Sequence, residues 1–149
     1  MMATPEKNKM RIIGLDLGEK RIGVAAADDR TPVAVPVDTI EVDGDPISVV
    51  SRLVEERQAD EVVVGLPLSL TGAMGPQAQR AMDIVDVLRK RLAVPVHTWD
   101  ERLTTVQANR SRRPSGRGGK RAEANKGARD AIAAAILLQA YLDNRRRPV

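Results

Sequence analysis

The run from Glu61 to Leu66, EVVVGL, constrains this chain more than any other segment. It is short, continuously apolar after its first residue and rich in β-branched residues. A strand that alternates apolar and polar residues can leave one face in water. A continuous apolar strand must be covered on both faces, as in a parallel sheet with helices on either side. The rest of the chain therefore has to supply further strands and at least one helical layer per face.

Those elements are readable around it. Met10 to Leu17 and Lys20 to Ala27 are β-rich runs separated by Gly18-Glu19, which suggests a hairpin. A third extended stretch spans about 32–42, where Pro36 disfavours an interior position in the sheet. Asp43-Gly44-Asp45 is a turn, and Asp45 can cap a helix that starts at Pro46 and runs to about Gln58. Pro76 to Leu92 reads as a helix, with Ala78, Ala81, Ile84, Val85, Leu88 and Leu92 on one face. Pro95 to Trp99 is the last strand. A short helix over 102–110, a basic Gly-rich loop over 111–126 and a closing helix over 128–142 follow. The order is β β β α β α β α α, which predicts a mixed sheet with helices on both faces. With 149 residues, one domain is expected. Residues 1–9 form a disordered lead-in, 10–143 the domain and 144–149 a basic tail.

Composition narrows the chemistry. There is no Cys, so neither a disulfide framework nor a thiolate metal site is available. MMATPEKNK offers no apolar stretch for a signal peptide. The longest apolar run, Ala131 to Leu138, is far too short to span a bilayer. A cytoplasmic protein with no membrane partner is expected. Charge is localised: between Arg110 and Arg129 eight basic residues face one acid, Glu123, so this segment carries +7 and the remainder −3 of the net +4. A clustered basic segment is the footprint of a polyanion partner, or simply a solvated loop. With one Trp, one Tyr and no Phe, base stacking can contribute little, so a nucleic acid would be held through phosphates and shape.

Three acids stand out. In Ile12 to Gly18, IIGLDLG, strand alternation puts Ile13, Leu15 and Leu17 on one face and Gly14, Asp16 and Gly18 on the other. Asp and interior Gly are both unfavourable in strands. The expected return is open space around the Asp16 carboxylate, where a metal and a phosphate backbone can approach. The structural alternative is an Asp paired to a nearby Arg, with the glycines serving close helix packing. At the end of the last strand, Asp100 is a plausible helix cap and Glu101 a plausible ligand, although both can simply favour the helix dipole. Asp130 opens the Ala-rich closing helix, where an acid is favourable in any case. Together the three form a coherent set. Magnesium takes oxygen ligands, and two ions about 4 Å apart can clamp the attacking and leaving oxygens of a phosphodiester. Such a site needs acids from separate elements and no Cys or His.

At this point a family pattern is visible. Ile12 to Ala25 (IIGLDLGEKRIGVA), Val64 to Pro67 (VGLP), Asp100 to Thr105 (DERLTT) and Asp130 to Leu142 (DAIAAAILLQAYL) resemble the YqgF/RuvX family, relatives of the RuvC resolvases in the RNase H-like superfamily. The resemblance covers about residues 10–143. It implies an RNase H-like α/β fold, a five-stranded mixed sheet flanked by helices. It also implies that Asp16, Glu101 and Asp130 match the family's acidic triad, with Mg2+ or Mn2+ as the metal. The implied role is nuclease action in 5′-end maturation of the 16S ribosomal RNA precursor in ribosome biogenesis; some members cleave Holliday junctions. One departure concerns the second activity. RuvC-type resolvases carry a further helix acid three residues after the Asp130 position, and here that residue is Ala133.

The nucleic acid, structured RNA or branched DNA, is expected to meet Arg21, Arg102, Thr104, Arg112, Arg113, Arg117, Lys120, Arg121 and Lys126. Each has a bland alternative: an exposed turn cation for Arg21, a local salt bridge for Arg102, helix packing for Thr104. Gly65 to Leu68 can line the site or simply turn the chain, and His97 reads as structural. GLDLG also resembles the first phosphate loop of actin and sugar-kinase ATPases, but those close two such domains over a nucleotide and this chain has room for one. A non-catalytic nucleic-acid module should have lost its acids. A resolvase should act as a dimer. Monomer and homodimer both remain open, as does the choice between one ion and two.

Overall fold

The computed structural model describes residues 9–104 and 126–146. A five-stranded sheet forms its centre, with β1 (Arg11–Leu17), β2 (Arg21–Asp28), β3 (Val35–Glu41), β4 (Glu61–Leu66) and β5 (Val96–Asp100). The spatial order is β3-β2-β1-β4-β5. β1 pairs antiparallel with β2 and parallel with β4; β3 continues antiparallel and β5 parallel. The sheet is mixed, as the element order implies. Pro36 lies on the outer strand, next to a register shift at Val24/Ala25, so its missing N–H interrupts no interior ladder.

β4 is buried along its whole length, because both faces are covered. On one face α1 (Pro46–Arg57) and α2 (Pro76–Arg91) pack Val50, Leu53, Val85 and Leu88 against Ile13, Leu15, Ile22, Val24, Val62 and Val64. On the other, the closing helix α3 (Lys126–Arg146) lays Ala134, Leu137, Leu138 and Leu142 on Ile12, Ala25 and Val63. Each fully buried aliphatic side chain contributes about 1.5–3 kcal/mol. α1 starts where Asp45 predicts: its carboxylate accepts from the Ile47 N–H at 2.9 Å and from the Ser48 hydroxyl at 2.9 Å, with Pro46 in the first turn. Gln58 ends the helix in the left-handed region, φ 52°.

Two boundaries differ from the reading of the sequence. α3 starts before Ala128 and continues past Leu142 to Arg146, absorbing the first residues of the expected tail. The extension is held by Arg145, which donates to the buried Glu61 at 2.7 Å. The helix expected over 102–110 is helical at 102–104; the rest of it, and the basic loop, lie outside the described residues. Among the described residues, no helix is long and apolar enough to cross a membrane.

Candidate active site

Strand alternation and register place the acids on one face. Asp16 pairs with Gly23 of β2. The β1–β4 ladder ends at Leu15–Val64, so the next residues, Asp16 and Gly65, leave it side by side. The α3 face of this part of the sheet therefore reads Gly23, Asp16, Gly65 across three strands. Both neighbouring glycines are occupied from above. A Cβ on Gly23 would overlap the Asp130 carbonyl, which shows how closely the first turns of α3 sit on β2. A Cβ on Gly65 would come within 2.7 Å of Glu101 Oε2 and 2.8 Å of Leu137 Cδ2. Glu101 thus leans back over β4, its own N–H held by Leu66 O at 3.0 Å. The Asp130 backbone thus lies over Gly23 and the Glu101 side chain over Gly65, the two residues that flank Asp16 across the sheet.

The glycines two residues either side of Asp16 in sequence, Gly14 and Gly18, do not leave open space, which corrects the expectation. A Cβ on Gly14 would lie 2.8 Å from Leu138 Cβ, and one on Gly18 would lie 2.7 Å from Arg21 O. Gly14 serves close helix packing and Gly18 the hairpin turn. The glycines that admit the other two acids are Gly23 and Gly65. Gly23 escaped the reading because its importance lies in a contact with a residue far along the chain. Its one visible signal is a glycine between Ile22 and Val24 in a β-rich run.

The basic residues expected at the site divide into three groups. Arg21 Nε donates to Asp130 Oδ2 at 3.1 Å, with both side chains about one third exposed. Its turn is anchored by Arg80 of α2, which donates to Gly18 O at 3.1 Å, a contact no local pattern announced. Arg102 is committed to Asp100, with Nε at 2.9 Å and Nη2 at 2.6 Å from Oδ2. The guanidinium's hydrogen bonds hold the Asp100 carboxyl below the usual carboxylate range. Asp100 also accepts from the Arg102 N–H at 3.0 Å, in keeping with the capping role read for it. Thr104 is buried and donates to Glu101 O at 3.0 Å. Arg102 and Thr104 thus brace the Asp100–Glu101 corner. Arg112, Arg113, Arg117, Lys120 and Arg121 lie outside the described residues, as does the side chain of Lys126.

The donor set is oxygen-only, which fits a hard divalent cation such as Mg2+ or Mn2+. The N-terminus of α3 at this end adds a favourable field for phosphate. The carboxylates are not drawn to a common point: among the described residues no group of three or more His, Asp or Glu side chains is arranged to hold a metal ion. Asp130 is instead turned toward Arg21. His97 lies elsewhere, with Nε2 3.0 Å from Glu61 Oε2, in agreement with a structural role.

A five-stranded mixed sheet covered by helices on both faces is the fold of solved Holliday junction resolvases. Solved structures agree. The chain is similar to Thermus thermophilus RuvC bound to a Holliday junction substrate, TM-score 0.54 at 17% identity, covering 91% of this chain and 95% of that one. It is also similar to the fowlpox virus resolvase bound to Holliday junction DNA, TM-score 0.57 at 11% identity, covering 93% and 100%. At such identities the likeness concerns the fold. Family membership comes from the sequence: residues 10–144 match the family model described as "RuvX: Holliday junction resolvase". Relatives named "Putative pre-16S rRNA nuclease" include one from Chloroflexus aggregans, 46% identical over 95% of this chain and 99% of its own. One from Halothermothrix orenii is 38% identical over 90% and 95%, and one from Mycobacterium ulcerans 43% identical over 95% and 84%. The chain belongs to the RuvX family.

Proposed function

We propose that this chain is a metal-dependent endonuclease that hydrolyses phosphodiester bonds in the 5′-end processing of the 16S ribosomal RNA precursor, in the cytoplasm. The observation that supports the reading is that three separate elements bring Asp16, Glu101 and Asp130 to the same face of the sheet, Asp16 in β1 between Gly23 and Gly65, the Asp130 backbone over Gly23 and the Glu101 side chain over Gly65. The names of the full-length relatives support the substrate.

Asp16, Glu101 and Asp130 would hold Mg2+ or Mn2+, which when bound would lower the pKa of a water and offset charge on the phosphate. The protein's own contribution is positioning. Asp16 is fixed by its place in β1, between Gly23 and Gly65. Glu101 is fixed by its backbone bond to Leu66 and by Thr104 beneath it. Asp130 is fixed by the seating of α3 on Gly23. The basic segment between Arg110 and Arg129, together with Arg21, grips the flanking backbone and makes binding fall steeply with salt.

A second reading, cleavage of four-way DNA, is favoured by the description of the matching family model, while Ala133 stands where RuvC-type resolvases have an acid. The test is cleavage of a labelled 16S-precursor 5′ fragment and a labelled four-way junction, with Mg2+ or Mn2+, with EDTA, and with Asp16→Asn. Metal-dependent cutting of the RNA, lost in the variant, is the expected result. Preferred cutting of the junction selects the second reading. Binding of both without cutting overturns both.

A further inference from the structure

Arg21 and Asp130 are separated by 109 positions in sequence, yet Arg21 Nε lies 3.1 Å from Asp130 Oδ2. The contact is built rather than casual. Arg21 begins β2, and its backbone oxygen accepts from the Gly18 N–H at 2.9 Å. Gly18 in turn is held by Arg80 of α2. On the other side, Asp130 is seated by its own backbone on Gly23, two residues from Arg21 in the same strand. Neither partner can drift far, so their side chains meet by construction. A guanidinium and a divalent cation make the same demand on a carboxylate oxygen, and one oxygen cannot fully satisfy both.

We propose that Arg21 is a built-in competitor for the metal at Asp130, setting the metal concentration at which the site fills. The inference rests on the reading of Asp130 as a metal ligand. The pair is exposed enough to be exchanged: with about a third of each side chain in water, it belongs to the class of ion pairs whose net strength is small. A small penalty is the useful size. It tunes loading without blocking it.

The experiment is a Mn2+ titration of the full chain without nucleic acid, followed by calorimetry and by electron paramagnetic resonance of free Mn2+. It compares wild type, Arg21→Gln, Asp130→Asn and the double variant, with melting curves verifying that each is folded. Arg21→Gln should bind Mn2+ about two- to fivefold more tightly than wild type, the range expected from losing a surface ion pair. The gain should vanish in the Asp130→Asn background, because competition requires the shared oxygen. Unchanged or weaker binding in Arg21→Gln overturns the proposal. So does an equal gain in both backgrounds, which marks a general field effect. A wild-type protein that takes up no Mn2+ is a separate outcome: it removes the metal-site reading itself, and this inference with it.

Discussion

Gly23→Ala isolates the seating of α3 from the chemistry of the acids. The added Cβ would overlap the Asp130 carbonyl and lie 3.0 Å from the Ala131 nitrogen. These are backbone atoms, which cannot rotate away as a side-chain tip could. Relief requires the first turns of α3 to lift from β2 or the strand to sink. Overpacking of this kind costs about 1–3 kcal/mol. For a domain of this size, about 2–4 °C is lost per kcal/mol, giving a fall in Tm of about 2–12 °C. Turnover should suffer more than stability, because a displacement of about 1 Å in a positioned group can cost on the order of 100-fold. Asp130 is the group displaced. The assay pairs thermal unfolding by circular dichroism with metal-dependent cleavage of the precursor fragment well below the variant's Tm. Gly75→Ala is the control: an added Cβ there meets nothing within 4 Å, so turnover should be kept. Wild-type turnover and an unchanged Tm in Gly23→Ala would refute the reasoning.

Three further outcomes are expected. Glu61→Ala removes the buried acceptor shared by Tyr141 Oη at 2.6 Å and Arg145 Nη1 at 2.7 Å; it should cost about 1–3 kcal/mol, read as a lower denaturant midpoint. Burial, then the hydrogen bond to Glu61, pushes the Tyr141 hydroxyl up to about 12 from an ordinary value of 10.0. Its folded pKa is the higher one, so its contribution is complete below pH 10 and is lost as pH rises toward 12; stability in that window should fall more steeply for wild type than for Tyr141→Phe. Asp45→Ala removes the cap of α1 and should cost about 1 kcal/mol, with turnover at the distant carboxylates unchanged.

Much of this was legible because local rules and the fold agree. The apolar run that follows Glu61, Val62 to Leu66, required cover on both faces, and Pro36 required an edge. Asp45 before Pro46 announced a helix start, and the alternation of IIGLDLG separated Asp16 from the core. What stayed hidden depends on which distant residues the topology brings together. Glu61 reads as the first residue of a strand, yet it is a buried carboxylate fastened by Tyr141, Arg145 and His97. That cluster pins the far end of the same helix whose first turns carry Asp130. Arg21 reads as a residue that faces phosphate or as an exposed turn cation, and its partner Asp130 appears only once α3 is laid on β2. The glycines beside Asp16 suggested an open site, whereas Gly14 is filled by Leu138, because strand alternation says which face a residue has but not what covers it.

The most direct test of the carboxylate cluster is anomalous diffraction from crystals soaked in Mn2+, collected above and below the manganese edge. The expected result is manganese density held between Asp16, Glu101 and Asp130, with Asp130 turned away from Arg21, and its loss in Asp16→Asn. Manganese absent from these three residues, in crystals of protein that cleaves its substrate at the same Mn2+ concentration, would contradict the assignment.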